Sequence, residues 1–273
     1  MRAARDDDAR GDRGAVIGAP AVRVRLDAAL ATPEGKRRYV RRLFHTIADR
    51  YDLITVLLSF GRDRAWKRRL ATLSAAGPET RALDLACGTG DIAFELASRG
   101  VRAVGLDVTP RMIELAREKR GREPFFVATH GKKAPDPFFL VGDMMALPFA
   151  DASFDLVTTG YGIRNVPQLE PALREIARVL RPGGTLLSLD FNRPNVKAVR
   201  VVYLLYLNLV GAALGWLLHR DPDTYRYIPA SIKRYPGAPR VAAMLRDNGF
   251  AAAEWLPVLG GLMAIHQARR GAS

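Results

Sequence analysis

Apolar residues recur along this chain with two different periods, and the change from one to the other divides it. From Glu34 to about Leu73 the spacing is helical, with Tyr39, Leu43, Ile47 and Tyr51 four residues apart. After Pro78 short apolar runs alternate with amphipathic stretches. They predict a strand at 81–86, a helix at 90–99, a strand at 101–107 and a helix at 110–119. A Pro-broken loop over 121–137 precedes a short strand at 138–141, a strand at 154–160, a helix at 169–180 and a strand at 184–190. A helix near 239–248 and strands near 251–258 and 261–268 complete the pattern. Strands separated by helices make βαβ units, so the expected class is α/β: a parallel sheet covered on both faces, seven-stranded, with a terminal hairpin.

Two segments fall outside this rhythm. Residues 1–14 carry four Arg and four Asp with almost nothing to bury, and residues 1–33 are expected to be a disordered tail without an exported protein's apolar leader. Val201–Leu218 is apolar apart from Asn208, and is flanked by Arg200, His219 and Arg220. It reaches the lower limit for a membrane span, but it equally suits a buried helix or an apolar lid over a greasy substrate. Its place after the last central strand favours the lid, because ligands of open α/β sheets sit at the carboxyl ends of the strands. The expected organisation is a tail at 1–33, a helical extension at 34–75, a core at 76–195 and 238–270, and a lid insertion at 196–237.

Composition narrows the chemistry. One cysteine among 273 residues and four scattered histidines leave no structural zinc site, and no metal is expected. The same cysteine count fits a reducing, cytoplasmic setting. The net charge of +14 is concentrated at the front: the first 70 residues hold 17 basic and 9 acidic side chains. Lys36–Arg38, Arg41-Arg42 and Lys67–Arg69 make a basic surface suited to nucleic acid, anionic lipid or acidic ligands. No aromatic-interleaved RNA-binding motif accompanies it, so nucleic acid is not the expected partner.

The strongest local signal is Leu83-Asp84-Leu85-Ala86-Cys87-Gly88-Thr89-Gly90-Asp91, at the end of the first predicted strand. Gly88 and Gly90 permit a tight turn and close approach of a ligand, with a helix opening beneath it. Asp107 ends the second strand 19 residues after Gly88, where a carboxylate accepts both hydroxyls of a ribose. A dinucleotide fits the glycines too, but Asp84 and Asp91 would repel its pyrophosphate and would welcome a sulfonium and an α-amino group. The segment resembles the S-adenosylmethionine (SAM) loop of class I methyltransferases. Gly142–Phe149 adds Asp143 for the adenine amino group and Met144 for packing on the ring, and the strand ending at Gly160 points at the methyl donor.

From about Phe44 to His266 the chain resembles the ubiquinone/menaquinone-biosynthesis C-methyltransferase family. Its first signature is matched by Tyr51-Asp52, Ser59-Phe60-Gly61 and Trp66-Lys67, and its middle motif by Tyr161–Val166. Its second signature is matched by Arg178–Gly184, followed by Asp221, Tyr225-Arg226-Tyr227 and Ser231-Ile232. Thr55 stands where the family usually has Asn, Asp63 where it has His, Asp190 for Glu, Asn192 for Ser, and Gly160 where Ser is common. The resemblance implies SAM-dependent methylation of a ring carbon of a polyprenylated quinol, either a demethylmenaquinol or a methoxy-polyprenyl-benzoquinol. It also implies a role for Arg164 in proton removal together with Tyr51 and Asn165.

A guanidinium is a poor base, so Arg164 is expected to stabilise a developing phenolate while water or Asp52 takes the proton. His45 ranks below Asp52, and Cys87 reads as a packed residue. The tail of such a substrate lives in a bilayer, so the expected enzyme is cytoplasmic and peripheral at the inner membrane face, with a homodimer open. Other acceptors, such as a sterol, a phenol or a lipid, remain open within the same fold, and a nucleic-acid methyltransferase stands further back.

Overall fold

The computed structural model describes residues 26–59, 61–122, 135–194 and 196–272. Most of the expected tail and most of the 121–137 loop therefore lie outside the described residues, as does Phe60. Helices α1 (Leu26–Ala29), α2 (Pro33–Ile47), α3 (Tyr51–Leu58) and α4 (Asp63–Leu73) precede the sheet. The helix α1 falls inside the expected tail, and Thr32 caps α2 by accepting from the Gly35 amide, with Pro33 at the first helical position. The stretch expected to be helical from Glu34 to Leu73 is helical, and it is divided into three α-helices. The four-residue repeat belongs to α2 only up to Ile47, and Tyr51 opens the next helix.

Seven strands follow: β1 (Arg81–Leu85), β2 (Arg102–Asp107), β3 (Phe138–Val141), β4 (Phe154–Gly160), β5 (Leu180–Phe191), β6 (Phe250–Val258) and β7 (Met263–Arg270). Between them run α5 (Asp91–Ala97), α6 (Pro110–Arg122), α7 (Leu169–Val179), α8 (Lys197–His219), α9 (Tyr227–Arg234) and α10 (Ala238–Asp247). The order across the sheet is β3-β2-β1-β4-β5-β7-β6, parallel except for β7, which runs antiparallel to β5 and β6. The β5 strand starts four residues earlier than the pattern predicts. Its register jumps from Phe154↔Leu180 to Leu156↔Thr185, so Arg181–Gly184 forms a bulge within the strand rather than a loop before it.

The sheet is buried on both faces, as a parallel sheet requires. On one side Leu83, Leu85 and Val157 pack under Leu173 and Ile176 of α7 and Val241 and Leu245 of α10. On the other, Ala82, Leu156 and Leu187 pack under Leu70 of α4 and Ile92 and Leu96 of α5. Chain order reverses between β1 and β4, so the connections leaving their carboxyl ends diverge and open a cleft.

The apolar segment is the 23-residue α8, the one described helix long and apolar enough to cross a membrane. One stripe of it is packed: Tyr203, Leu207, Gly211 and Gly215 are buried, while Val201, Val202, Leu205, Leu209, Trp216 and Leu217 are exposed. Gly215 is needed because a Cβ there would lie 2.4 Å from the Asp221 carbonyl oxygen and 3.1 Å from the Pro222 Cα. Gly215→Ala should push the helix off this loop and cost about 1–3 kcal/mol, read as a Tm lower by roughly 2–10 °C. An unchanged Tm would show that the loop yields freely.

Candidate active site

A cleft of about 710 Å³ opens at the carboxyl ends of β1, β2 and β4. Its floor is Ala86, Gly88, Asp107, Val108, Thr109 and Gly160 to Gly162. The Asp107 carboxylate is buried, and it accepts from the Gly88 amide at 3.0 Å and the Thr109 amide at 2.8 Å, one bond on each oxygen. A carboxylate oxygen has two lone pairs, so each retains one for a ligand diol. Burial pushes this carboxyl above its ordinary range, against those two amides. Asp143 and Met144 line one end, and Asp143 also accepts from the Met145 amide. The other wall is one face of α2, where Arg37, Val40, Arg41 and Phe44 follow the i, i+3, i+4, i+7 rule and Arg37 pairs with Asp143 at 3.3 Å. None of these four was expected in the site; their helical spacing was visible, but a basic face reads as solvated surface until the sheet beneath it is known.

A second cleft of about 640 Å³ adjoins the first, and Phe44, Tyr51, Tyr161 and Asn165 line both. Its other walls are mainly apolar: Ile47, Ile54, Leu58, Trp66, Phe191, Tyr225, Ile228 and Met263. Arg164 is the one charged residue lining it among the described residues. The α8 helix does not touch this cavity. Val210, Leu214 and Leu218 pack behind Ile54, Leu58 and Tyr225, so within the segment expected as a lid it is Thr224, Tyr225, Tyr227 and Ile228, after α8, that wall the cleft, and α8 braces them.

The short turn Ile163–Asn165 after β4 builds the join between the clefts. Tyr161 holds the unusual φ of +62° for a bulky residue, with its amide on the Leu189 carbonyl and its hydroxyl donating to Asp63 at 2.9 Å. A Cβ at Gly162 would meet Thr159 Oγ1 at 2.4 Å and the Ala86 Cβ at 2.7 Å, so only glycine lets this turn close on the end of β1. Asn165 donates to the Tyr161 carbonyl and accepts from the Tyr227 hydroxyl at 2.9 Å. The Arg164 side chain is buried, with Nη1 on Asp190 Oδ1 at 2.8 Å, Nε on Ser231 Oγ at 2.9 Å, and its guanidinium 4.8 Å from the Phe191 ring centre. The departure Asp190 thus holds Arg164, and burial raises its carboxyl while Arg164 opposes that. Thr55 lines the second cleft and spends its hydroxyl on the Tyr51 and Asp52 carbonyls.

Other sequence expectations land elsewhere. Asp52 lines neither cleft; it accepts from Thr89 Oγ1 at 2.6 Å and pairs with Lys119 at 3.4 Å. A carboxylate so tied outside the cleft is not placed to take a proton from an acceptor within it. Thr89 and Gly90 shape the turn without lining the cleft, and His45 is exposed on α2. Lys67, expected on the basic surface, is buried between Asp63 at 2.6 Å and Asp91 at 2.8 Å. Burial lowers its affinity for a proton, but the two carboxylates outweigh this and hold it charged; Asp91 in turn sits well below the carboxylate range, because Lys67 and Lys119 overcome its own burial. Burial pushes the Cys87 thiol up, which leaves it a poor nucleophile.

Asp84 lies at the very centre of the sheet and lines neither cleft. Thr158 donates to its Oδ1 at 2.9 Å, and Oδ2 has no partner among the described residues. Burial lifts its carboxyl to about 7.

The model of the ubiE/COQ5 methyltransferase family matches residues 32–270. A ubiquinone/menaquinone biosynthesis C-methyltransferase UbiE of Nitrobacter hamburgensis is 38% identical over 243 residues, 86% of this chain and 92% of the relative. A demethylmenaquinone methyltransferase of Thermus thermophilus is 40% identical over 226 residues, 82% of this chain and 98% of the relative. Among solved structures, a SAM-dependent methyltransferase from Thermotoga maritima superposes with a TM-score of 0.57 at 18% identity, covering 84% of this chain and 99% of its own. That likeness is one of fold. The cofactor is SAM, and the residues of the first cleft would fit it: Asp107 keeps a lone pair on each oxygen for a diol, Gly88 would allow close approach to the turn, and Met144 and Val40 would give apolar cover.

A carboxyl that titrates near 7 when folded and near 4 when unfolded destabilises the native state as pH rises through that window. Asp84→Asn should therefore raise Tm by about 3 °C or more at pH 8 and much less at pH 5, with SAM affinity unchanged. Loss of SAM binding in a folded Asp84→Asn variant would return this residue to the cofactor site.

Proposed function

The chain belongs to the ubiE/COQ5 methyltransferase family, and from that premise we propose that it transfers a methyl group from SAM to a ring carbon of a polyprenylated quinol. The observation that carries this is the joining of two clefts of unlike character through shared walls. One is polar-floored and holds a diol-binding carboxylate; the other is greasy and carries one buried cation. A quinol head placed in the second cleft is wedged against Tyr51, Tyr161 and Asn165, the same side chains that bound the first. Holding two reactants at contact in a fixed orientation removes much of the entropic barrier.

Bound SAM supplies an electrophilic methyl group on a sulfonium. The chain's own residues act on the acceptor. As a ring hydroxyl gives up its proton, negative charge grows on that oxygen and on the ring carbons conjugated with it. Arg164, fixed by Asp190 and Ser231, stabilises that charge in an apolar surround where a fixed cation counts for more than in water. The apolar walls exclude water that would otherwise solvate the head.

The cavity holds a ring and the start of a tail, and the rest of the tail must lie outside. We place the protein at a membrane surface. The exposed face of α8, with Val201, Val202, Leu205, Leu209, Trp216 and Leu217, would enter the headgroup boundary, and the exposed Arg38 and Arg42 of α2 would add about 1 kcal/mol each near anionic lipid.

Purified protein given methyl-labelled SAM and reduced short-chain demethylmenaquinone, with a methoxy-benzoquinol in parallel, should put label on a ring carbon of at least one; SAM binding with transfer to neither would defeat this assignment. Arg164→Lys should lower kcat by about tenfold or more with SAM affinity nearly unchanged, since a lysine cannot keep both the Asp190 and Ser231 contacts. Trp216→Glu with Leu209→Glu should abolish cosedimentation with anionic vesicles while sparing turnover of a short-chain quinol. Equal binding by that variant would move the membrane contact elsewhere.

A further inference from the structure

The proposed reaction releases a proton, and the second cleft has no evident place to put it. Among its described lining residues there is no carboxylate, histidine or lysine, and the guanidinium of Arg164 is a poor base. The tyrosines are no substitute: burial raises Tyr51, Tyr225 and Tyr227 above the ordinary phenol range, so none holds its own charge readily.

Behind Arg164 lies a third cavity of about 610 Å³. Arg164 and Tyr227 line both it and the acceptor cleft, so the partition between them is these side chains. Lys36 of α2 also lines the third cavity, and its Nζ donates to the Arg164 carbonyl at 3.0 Å. The groups acting on it are Arg164 and Asp190 on the sheet side and Arg234 from α9; Arg234 is itself paired with Asp27 of α1 at 3.0 Å. Asp190 is engaged by Arg164, and no carboxylate pairs with Lys36 among the described residues. Tyr227 and Tyr235 also line the cavity, and burial raises both hydroxyls.

The geometry points to Lys36 as the proton acceptor of the methyl transfer, reached from the acceptor cleft past Arg164 and Tyr227 through the third cavity, which is large and polar enough to hold water. This rests on the quinol reading above. The balance is simple. A neutral Lys36 amine takes the hydroxyl proton, the oxygen's electron pair is delivered through the ring to the new carbon–carbon bond, and the carbon–sulfur bond breaks with its pair going to sulfur. The ring carbon then loses its own proton as the hydroxyl is restored, so one proton in all leaves through the ammonium to solvent. Burial, with Arg164 and Arg234 nearby, lowers the Lys36 ammonium to about 8, which leaves part of it neutral in ordinary buffers. The hydrogen bond to the Arg164 carbonyl uses one N–H and leaves the amine lone pair free.

The test is a pH profile with chemical rescue. In the wild type kcat should rise through about pH 8 as the amine loses its proton. Lys36→Ala should lower kcat by about tenfold or more and flatten that limb, and small primary amines should restore turnover according to their basicity. Lys36→Arg, which keeps a donor for the Arg164 carbonyl, should fold, bind SAM and stay inactive. Wild-type turnover by Lys36→Arg, an unaltered pH limb in Lys36→Ala, or no rescue would reduce Lys36 to a structural hydrogen bond. The lysine's own titration, followed by NMR in the free protein, is independent of any acceptor. A midpoint above 10 overturns the proposal even if the quinol assay succeeds, and a midpoint near 8 beside an inactive wild type faults the acceptor assignment instead.

Discussion

A guanidinium buried against a carboxylate, Arg164 on Asp190, is the point through which the acceptor side of the site is assembled. Asp190 sits near the end of β5 and accepts both the Arg164 side chain and its amide, which fixes the turn after β4. Ser231 brings α9 to the same side chain, Lys36 brings α2 to its carbonyl, and Phe191 covers its face. Three parts of the chain far apart in sequence, β5, α9 and α2, thus converge on one residue. Removing one partner of a buried pair strands the other charge at a cost of about 3–5 kcal/mol, so the arrangement behaves as a unit.

On the cofactor side the helical extension is held by polar contacts of a different kind. Arg37 meets Asp143, Asp49 meets Arg111, and Asp52 meets Thr89 and Lys119. These pairs are partly exposed, and each contributes little by itself. Lys67 is the exception: buried between Asp63 and Asp91, it joins α4 to the start of α5, and Asp63 also receives the Tyr161 hydroxyl. The helical wall over the first cleft is therefore weakly held at its rim and firmly held at its base, a distribution that suits a site whose occupant must enter and leave.

The long apolar helix reconciles two demands on one segment. Its glycine-bearing stripe packs closely on the 221–225 segment, which walls the acceptor cleft, and the opposite face leaves large apolar side chains in solvent. Such a contiguous face is costly to expose in water, and it is the face that the proposed membrane contact would cover.

The period change near Pro78, the order of strands and helices, the glycine turn after β1 and Asp107 beyond it were all legible in the sequence, because each depends on residues close together in the chain. Asp107 in particular could be placed by counting, since one strand–helix–strand unit fixes its distance from Gly88. Asp84, Asp52 and Lys67 could not be placed that way. A carboxylate beside a ligand loop and one buried at the sheet centre have the same neighbours in sequence, and only the pairing Asp84↔Thr158 across β1 and β4 separates them. The face of α2 that roofs the cofactor, and the lysine behind Arg164, were likewise hidden. Periodicity tells which residues share a helix face; what that face meets depends on contacts between segments more than a hundred residues apart, which form only when the sheet closes.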